Sequence, residues 1–418
     1  MTPSRDAIRA IRAALDAQAD VADPCHDVLA QHLTVADASH DDALPLVRTL
    51  DEFPPKPAPR WMPTYEFMAS CPVVQSMALG NCHHGQRKLT LALLEFIADS
   101  LVALDCDDRD VVLLYVGASG LATVAALTVF PSLQAVIYDP AKNTTELMPR
   151  FDDKVVYVDG GVPCRKVRMD RRLVVFTQRA GWFDDTVAAH FRAHLFPRTG
   201  RKHLLFVSDV RAQTSEDAIA RDMVDQQRWT IVVRPARYML KFRMPYVWTH
   251  AEREIVHGLY VASAAALLAH AILVRSLLPA GWSLCRDSIP YLDGRAHLQL
   301  YGRQRTAELR LVGSVVGGRY AIRSYDMRAI EDAMATFNNV YRTHARFRVC
   351  PCMPASRYEH ASEIKILSTC IHAATPSRRR RRLPDDCGTC ECRDLGARAA
   401  KLREAIDSLV HWGRPTHV

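Results

Sequence analysis

Apolar residues in the first half of the chain recur in two patterns, helical spacing and short continuous runs. Residues 86–104 carry leucine, phenylalanine and isoleucine at intervals of three and four, which predicts an amphipathic helix with Lys88 near its start. Residues 111–116 form a continuous apolar run that meets a turn between Gly117 and Gly120, and residues 121–130 return to helical spacing. This succession predicts a strand, a glycine turn and a helix.

Further apolar runs follow at intervals along the chain. Runs at 135–138, 173–176, 204–207 and 230–233 predict strands, and 155–158 predicts an extra hairpin or an edge strand. Residues 255–278 have helical spacing, whereas 298–316 alternate and are rich in β-branched residues. Strands that alternate with helices predict an α/β fold with a doubly wound, mostly parallel sheet, which continues into an antiparallel edge.

The flanking regions differ in composition from this central part. Residues 1–60 combine a short helical pattern with a Pro-rich passage at 53–60, which predicts an N-terminal appendage and linker. Residues 349–418 are rich in cysteine and arginine and end in a helical pattern at 395–409, so we expect a C-terminal extension there. The α/β domain is expected to span residues 61–348.

Composition narrows the class of protein. Apolar residues make up 49% of the 418 residues and charged residues 24%, values typical of a globular protein. No apolar run reaches the roughly 18–20 residues that cross a bilayer, and no secretory signal is evident at the N-terminus. The 12 cysteines are irregularly spaced, which favours free thiols. We expect an intracellular protein that does not associate with a membrane.

The net charge of +8 is concentrated in Lys/Arg-rich stretches at 165–172, 201–203, 234–243 and 378–382. Such stretches are compatible with phosphate-bearing partners and equally with a solvated surface. The last of them could bind RNA, act as a nuclear-import signal or form a solvated linker.

A candidate nucleoside site follows the first two central strands. Gly117 and Gly120 would let the backbone approach a ligand, and Asp139 ends the second strand, where an acid can bind a ribose diol. A turn needed only for steric reasons would have the same glycines. Because Asp209 closes a later strand as well, an adenosine-type ligand such as S-adenosylmethionine fits better than a dinucleotide.

Four ionisable residues are expected at one rim of the sheet, because each lies at or near the end of a predicted element. Their segments are Gly85-Gln-Arg-Lys-Leu, Val207-Ser-Asp-Val-Arg, Leu240-Lys-Phe-Arg-Met-Pro-Tyr246 and Ala307-Glu-Leu-Arg-Leu311. Any one of these residues by itself would be interpreted as a surface side chain or a helix cap. The four together, in this order, carry far more information.

In this order the four segments resemble those of the poxvirus-type cap-specific mRNA 2′-O-methyltransferases, which double as the small stimulatory subunit of viral poly(A) polymerase. The resemblance covers residues 80–345. It implies a Rossmann-like S-adenosylmethionine-dependent methyltransferase fold and methyl transfer to the ribose of the first transcribed nucleotide. It also implies capped mRNA and a poly(A) polymerase catalytic subunit as partners, and a location in the host-cell cytoplasm or virion, with the nucleus also open.

The resemblance assigns roles to individual residues. The catalytic residues would be Lys88, Asp209, Lys241 and Glu308, with Lys241 as general base and no metal required. The residues expected to line the cofactor pocket are Gln86, Tyr115, Gly117, Gly120, Asp139, Arg179, Ala180, Asp209 and Val210.

A lysine can serve as general base only under special conditions. An ordinary lysine, with a pKa of about 10.4, is protonated and cannot accept the proton of a ribose hydroxyl. Burial and a second cation disfavour the charged form, so Lys88 beside Lys241 makes this role coherent. Asp209 and Glu308 would orient the two amines.

Cap recognition calls for aromatic stacking on the positively charged methylated guanine. Tyr246 matches the family's stacking residue, although a packed core tyrosine has the same pattern. The opposite stacking residue could be Phe53, Tyr65 or Phe67. Glu331 resembles the acid that binds the guanine, or it is an exposed helix residue. Phosphate contacts are expected from Arg211, Arg243 and Arg310.

The C-terminal cysteines leave two interpretations open. A zinc site could draw on soft ligands there, or the thiols could be incidental. The candidate ligands are Cys350, Cys352, His360, Cys370, His372, Cys387, Cys390 and Cys392.

Three other function classes compete with a cap methyltransferase. An RNA-binding poly(A) polymerase processivity subunit could keep the fold without the activity, but all four ionisable residues are retained. A small-molecule or protein methyltransferase would have no use for two lysines in a basic surround. A dehydrogenase is the most distant alternative.

Overall fold

The structure is a computed structural model. It describes residues 43–52, 85–117, 120–138, 155–159, 162–163, 174–176, 183–213, 215–245, 250–302, 306–342, 345–349, 353–375 and 391–409. The predicted N-terminal helix and the Pro-rich passage lie outside these ranges.

The described strands build one large sheet and two small ones. They are β1 (Leu44–Pro45), β2 (Val111–Val116), β3 (Gln134–Tyr138), β4 (Val155–Asp159), β5 (Val162–Pro163), β6 (Val174–Phe176), β7 (His203–Ser208), β8 (Arg237–Arg243), β9 (Val274–Ser276), β10 (Ser288–Leu292), β11 (Arg295–His297), β12 (Glu308–Ser314), β13 (Tyr320–Asp326) and β14 (Phe347–Arg348). The large sheet has the order β11-β12-β8-β7-β2-β3-β6-β4-β5. All pairings from β8 through β4 are parallel, and those at both edges are antiparallel.

Helices connect and cover these strands. They are α1 (Gly85–Ala103), α2 (Gly120–Val129), α3 (Asp185–His190), α4 (Phe196–Arg198), α5 (Glu216–Val233), α6 (His250–Leu268), α7 (Met327–Thr336), α8 (Tyr358–Ala374) and α9 (Glu391–Leu409). In the part of the chain that the structure describes, no helix combines the length and the apolar character that crossing a bilayer requires.

The core lies on both faces of the large sheet. Successive side chains of β2 point to opposite faces, so Val112 and Leu114 join one buried apolar cluster whereas Leu113 and Tyr115 join the other. A strand buried on both faces must be apolar at every position, which is why residues 111–116 form a continuous apolar run. The protein is therefore a mixed α/β protein with a mostly parallel sheet, as predicted.

Most predicted elements are confirmed, with bounds that shift by one or two residues. The uncertain run at 155–158 becomes β4, which forms the expected hairpin with β5 at the edge of the sheet. The predicted antiparallel edge is present on the other side as β12 and β11.

The strand predicted at 230–233 is wrong. These residues form the last turn of α5, which ends at Arg234 in a left-handed conformation (φ 53°). Thr230 donates its hydroxyl to the Gln226 carbonyl within the helix at 2.7 Å. Thr230 and the hydrophobic residues around it are buried because α5 packs on the sheet, so β-branched residues here reflect a buried helix face rather than a strand.

Two other predicted boundaries also shift. Helical spacing was expected to continue to residue 278, but α6 ends at Leu268 and residues 274–276 form β9. Among the described residues of 298–316, the strand is β12.

Candidate active site

The carboxyl ends of β2 and β7 lie side by side at the switch point of the sheet. From β2 the chain first adds strands on one side, β3 and β6, and then on the other, β7 and β8. Gly117 follows β2, and Asp209 follows β7 and donates its amide to the Val116 carbonyl at 2.9 Å. Gly117 has φ +69°, and a Cβ there would lie 2.9 Å from backbone atoms of both Asp209 and Val210. The two loops can approach this closely only because residue 117 is glycine. In open α/β sheets the crevice at such a switch point is where ligands bind.

Lys241 lies inside β8, one strand beyond β7. The β7 pairing ends at Leu240, so the next backbone groups of β8 would lack a partner on that side. The buried side chain of Gln226 replaces the strand: its Oε1 accepts from the Lys241 amide at 3.1 Å and its Nε2 donates to the Lys241 carbonyl at 3.4 Å. Gln226 thereby fixes the backbone that carries Lys241.

The antiparallel strand β12 brings Glu308 and Arg310 to the same place. Arg310 is paired directly with Lys241, and Glu308 with Arg243. Because β12 runs against β8, its first residues lie at the carboxyl end of β8. Two like charges opposite each other destabilise a sheet, so Arg310 and Lys241 need carboxylates nearby.

Those carboxylates are Asp209 and Glu308. Lys241 Nζ lies 3.1 Å from Asp209 Oδ1 and 3.4 Å from Glu308 Oε2. Arg310 Nη1 lies 2.7 Å from Asp209 Oδ1, and Arg310 Nη2 lies 3.6 Å from Glu308 Oε1. Lys88, from the first turn of α1, donates to Glu308 Oε1 at 3.0 Å. We call these five residues the lysine–carboxylate cluster.

The cluster is largely shielded from water, and its most exposed side chain is that of Glu308, at 18%. The side chains of Lys88 and Lys241 are each 13% exposed, whereas that of Arg310 is 3% exposed. Burial lowers the pKa of Lys88, and Arg310 acts in the same direction, against Glu308. Burial by itself would raise the pKa of Glu308, but Arg310, Lys241 and Lys88 hold it well below its ordinary value.

The cluster contains one more positive than negative charge when all five groups are ionised: three cations face two carboxylates. An unbalanced buried charge is costly, and the usual response is a change of protonation. Arginine does not release its proton in proteins. Burial and Arg310 both shift the pKa of Lys88 in the direction that releases this excess proton.

Several buried polar atoms at this crevice lack a well-directed hydrogen bond. They include Asp209 Oδ1 and the three guanidinium nitrogens of Arg310, whose contacts are ion pairs with unfavourable angles. The hydroxyls of Tyr138 and Ser208, at the ends of β3 and β7, are also buried without a hydrogen-bond partner. Buried polar groups are normally satisfied, so the two hydroxyls, which have no partner among the described residues, could bind a ligand.

The residues expected to bind a cofactor are only partly described. Tyr115, buried in β2, lies close enough to Arg310 to influence its pKa. Gly117 and Val210 form the close approach at the switch point, while Gln86 lies in α1 and Gly120 begins α2. The remaining three, Asp139, Arg179 and Ala180, lie outside the described residues. The narrow cradle at Gly117 and the unsatisfied hydroxyls at the strand ends fit a nucleoside-type cofactor.

The three arginines predicted to bind phosphate have different surroundings in the structure. Arg310 is almost completely buried and its charge is engaged by Asp209 and Glu308. Arg243 forms an ion pair with Glu216 at 2.5 Å. Burial lowers the pKa of Arg211, whose Nη1 is among the buried atoms without a hydrogen-bond partner.

The predicted cap-binding residues are largely outside the described ranges, namely Tyr246, Phe53, Tyr65 and Phe67. Glu331 lies half-buried in α7. Next to it, burial raises the pKa of Asp332 to about 6. The helix follows β13 of the small sheet β10-β13-β9.

Of the predicted zinc ligands, three have described side chains. Cys370 is buried in α8 and its Sγ donates to the Leu94 carbonyl at 3.7 Å; His360 and His372 lie on the same helix. The side chains of the other cysteines lie outside the described residues. Within the described part, no group of three His, Cys, Asp or Glu residues could hold a metal ion.

Two residues of the site were missed at the sequence level. Gln226 supports Lys241, and Gln299 donates to Glu308 Oε1 at 3.0 Å and to the Glu308 carbonyl at 2.9 Å. Both are buried polar residues in apolar surroundings. Gln226 could have been noticed as a polar position on the apolar face of α5.

Comparison with known proteins does not identify a family for the chain. No protein-family model matches the chain, and no curated protein matches it. Among solved structures, the chain is similar to bluetongue virus VP4, described as a multifunctional RNA-capping production line, with a TM-score of 0.37 and 11% sequence identity. The match covers 75% of this chain and 38% of VP4. At this TM-score the likeness does not define the function of the chain.

Proposed function

We propose that the chain is an S-adenosylmethionine-dependent methyltransferase with a Rossmann-like fold that methylates the ribose 2′-oxygen of the first transcribed nucleotide of capped mRNA. The lysine–carboxylate cluster carries this proposal. Lys88, Asp209, Lys241 and Glu308 come from four separate segments and meet through contacts of 3.0–3.4 Å beside the switch point of the sheet. The resemblance of the same four segments to the cap 2′-O-methyltransferases supports the proposal.

The cluster suits removal of a proton from a weakly acidic hydroxyl. Its excess positive charge favours loss of a lysine proton before substrate binds, and Lys241 is the proposed base because Asp209 and Glu308 both orient its amine. The ribose hydroxyl gives its proton to Lys241 as its oxygen forms a bond to the methyl carbon. S-adenosylmethionine, when bound, would supply this methyl group, with its sulfur as the leaving group. Lys88 and Arg310 keep Glu308 ionised throughout.

S-adenosylmethionine, when bound, supplies an activated methyl group, so the protein needs mainly to align the reacting atoms. The crevice between β2 and β7 would hold it, with Gly117, Val210 and the buried hydroxyls of Tyr138 and Ser208 at the strand ends.

Methyl transfer from labelled cofactor to three RNAs tests the proposal. We expect label on capped RNA, much less on uncapped RNA, and none on capped RNA that is already 2′-O-methylated at the first nucleotide. Labelling of the pre-methylated RNA would place the reaction at another atom. Absence of transfer to all three would overturn the proposed function.

Cofactor binding can be tested separately with a matched pair of glycine variants. Gly117 and Gly200 both have positive φ, +69° and +65°, but only a Cβ at Gly117 would clash with neighbouring backbone. We expect Gly117→Ala to weaken S-adenosylmethionine binding strongly in calorimetry and Gly200→Ala to leave it unchanged. Equal binding by the two folded variants would remove the switch-point crevice as the cofactor site.

A further inference from the structure

Helix α8, in the predicted C-terminal extension, packs directly on α1, the helix that carries Lys88. Its Ile366, Leu367 and Cys370 belong to the same buried apolar cluster as the α1 residues Leu94 and Ile97. Through this packing, the region after residue 349 contacts the helix that contributes Lys88 to the lysine–carboxylate cluster.

Glu363 of α8 is the charged part of this contact. It is 3% exposed and forms an ion pair with Arg87, the residue immediately before Lys88. Its other oxygen accepts the hydroxyl of Tyr301 at 3.0 Å, and the Arg87 guanidinium lies 5.4 Å from the centre of the Tyr301 ring. Arg403 Nη1 of α9 lies 4.0 Å from the same oxygen. A buried carboxylate with three partners is a rigid connection.

The second partner of Glu363 leads to Glu308. Tyr301 holds a left-handed backbone conformation, φ +52°, which a non-glycine residue keeps only when its surroundings enforce it. It lies two residues after Gln299, whose amide donates to Glu308 Oε1. Glu363 therefore contacts the segments on both sides of the Lys88–Glu308 pair.

One turn earlier on α8, Glu359 provides a second connection to the segment that contains Gln299 and Tyr301. Its carboxylate lies 3.1 Å from Arg342 Nε. Arg342, buried between Phe337 and Tyr358, donates to the backbone carbonyls of Gln299 and Gly302. Two carboxylates spaced by four residues thus hold the Gln299–Gly302 backbone against α8.

We propose that α8 positions the Lys88–Glu308 pair, with Glu363 as the principal positioning residue. The Lys88 amine and the Glu308 carboxylate come from segments far apart in the chain, and α8 is the described element that binds both. Loss of the Glu363 charge weakens its contacts with Arg87 and Tyr301, so the pair can separate while the cofactor crevice at β2 and β7 is untouched. The expected effect on the rate of methyl transfer rests on the proposed function. The expected change in the position of Lys88 relative to Glu308 does not.

The first test compares Glu363→Gln with Glu95→Gln, which removes an equally buried carboxylate from an arginine pair further along α1. On capped RNA we expect Glu363→Gln to lower kcat by about 10- to 100-fold, the scale of a small misplacement of reacting groups. Its KM and its affinity for S-adenosylmethionine should stay near the wild-type values. Glu95→Gln should lower thermal stability at least as much but leave kcat unchanged. An equal loss of kcat in both variants would assign Glu363 a general stabilising role and overturn the proposal.

The second test does not depend on activity. Lysine acylation at limiting reagent, followed by mass spectrometry, reports the accessibility and protonation of each amine. We expect faster labelling of Lys88 in Glu363→Gln than in wild type or Glu95→Gln, with unchanged labelling of the exposed Lys202. Unchanged labelling of Lys88 in folded Glu363→Gln would contradict the positioning role, whether or not the wild type transfers methyl groups.

A milder variant covers the case in which Glu363→Gln fails to fold. Tyr301→Phe removes only the hydroxyl that donates to Glu363 and keeps the ring under Arg87. We expect a smaller change in the same direction for both kcat and Lys88 labelling. A folded Tyr301→Phe protein with wild-type values for both would overturn the proposal.

Discussion

Helix α1 contributes to two buried ionic clusters of opposite character. Near its start, Lys88 enters the lysine–carboxylate cluster. Two turns later, Glu95 binds Arg48 through both oxygens, at 2.8 and 2.6 Å, and Arg48 also donates to the Tyr358 hydroxyl at 2.5 Å. We call Arg48, Glu95 and Tyr358 the arginine–glutamate cluster. The side chains of the two clusters are similarly buried, at 10–18% exposure for Arg48, Glu95, Lys88 and Glu308.

The two clusters differ in charge balance and in hydrogen-bond geometry. Arg48 and Glu95 balance each other, and their planar groups meet in two parallel hydrogen bonds. Burial would raise the pKa of Glu95, but Arg48 lowers it to about 2. The lysine–carboxylate cluster instead has excess positive charge and poorly directed contacts at Asp209 and Arg310.

This difference separates a structural ion pair from a reactive one. An arginine that cannot lose its proton suits a permanent contact, whereas lysines in an unbalanced cluster can exchange protons. Burial alone would not distinguish the two clusters. The predictions below test whether charge balance and lysine content do.

The largest expected effect is on catalysis at Lys241. Lys241→Met keeps similar bulk but removes the amine, so single-turnover methyl transfer to capped RNA should fall by about 10²- to 10⁴-fold. Lys241→Arg should fail as well, because guanidinium stays protonated. Cofactor binding should persist in both. A near-wild-type rate in either variant would show that Lys241 is not the base, which would then be Lys88, Asp209 or water. It would also contradict the distinction between a reactive and a structural cluster.

Loss of the central arginine should destabilise both clusters but change the pH dependence of only one. Arg48→Met should lower the free energy of unfolding by about 3–5 kcal/mol, because the buried Glu95 loses its main partner. Arg310→Met should lower it by less, because Lys88 and Lys241 still pair with the two carboxylates. Arg310 also lowers the pKa of Lys88, so its removal should shift the rising limb of the pH profile of Lys88 acylation to higher pH. Arg48→Met should leave that limb unchanged. A shift of equal size in both variants would show that the clusters are not electrostatically distinct.

A smaller effect is expected at Asp99, on α1 beside the arginine–glutamate cluster. Burial and the nearby Glu95 raise the pKa of Asp99 from 3.8 to about 6. A carboxyl with a raised pKa binds its proton more tightly in the folded protein, so its ionisation costs stability as pH rises through 4 to 6. Because Asp99 is only partly buried, we expect Asp99→Asn to gain about 1–2 kcal/mol at pH 7–8.

That gain should disappear below pH 4, where Asp99 is protonated in both the folded and the unfolded chain. Denaturant titrations of Asp99→Asn and wild type across pH 3.5–8 measure the difference. A gain that does not change with pH would mean that Asp99 acts through packing rather than charge.

The smallest effect is expected at an exposed ion pair. Arg228 and Asp185 lie 2.7 Å apart, but both side chains are nearly half exposed. Asp185→Asn should change the free energy of unfolding by less than about 1 kcal/mol. A loss as large as that of Arg48→Met would show that burial does not govern the strength of ion pairs in this chain.

Much of the fold was predictable because burial on both faces of a sheet leaves a local signature. The runs that become β2, β3 and β7 are apolar at nearly every position, and α1 has a clear helical period. Residues 230–233 were misassigned because a buried helix end and a buried strand have the same composition. Helix α8 was not predicted, and with it Glu363 was missed, although its apolar residues also follow a helical period.

The sequence by itself determined the α/β class, the glycine turn at Gly117 and the four ionisable residues that the site contains. These features depend on local composition, periodicity and short motifs. Only the tertiary structure decided which charges face one another. The antiparallel register of β12 on β8 sets Arg310 opposite Lys241, and the packing of α8 on α1 brings Glu363 to Arg87. Arg87 and Glu363 lie 276 positions apart in the chain, and no local pattern encodes a partner at that distance.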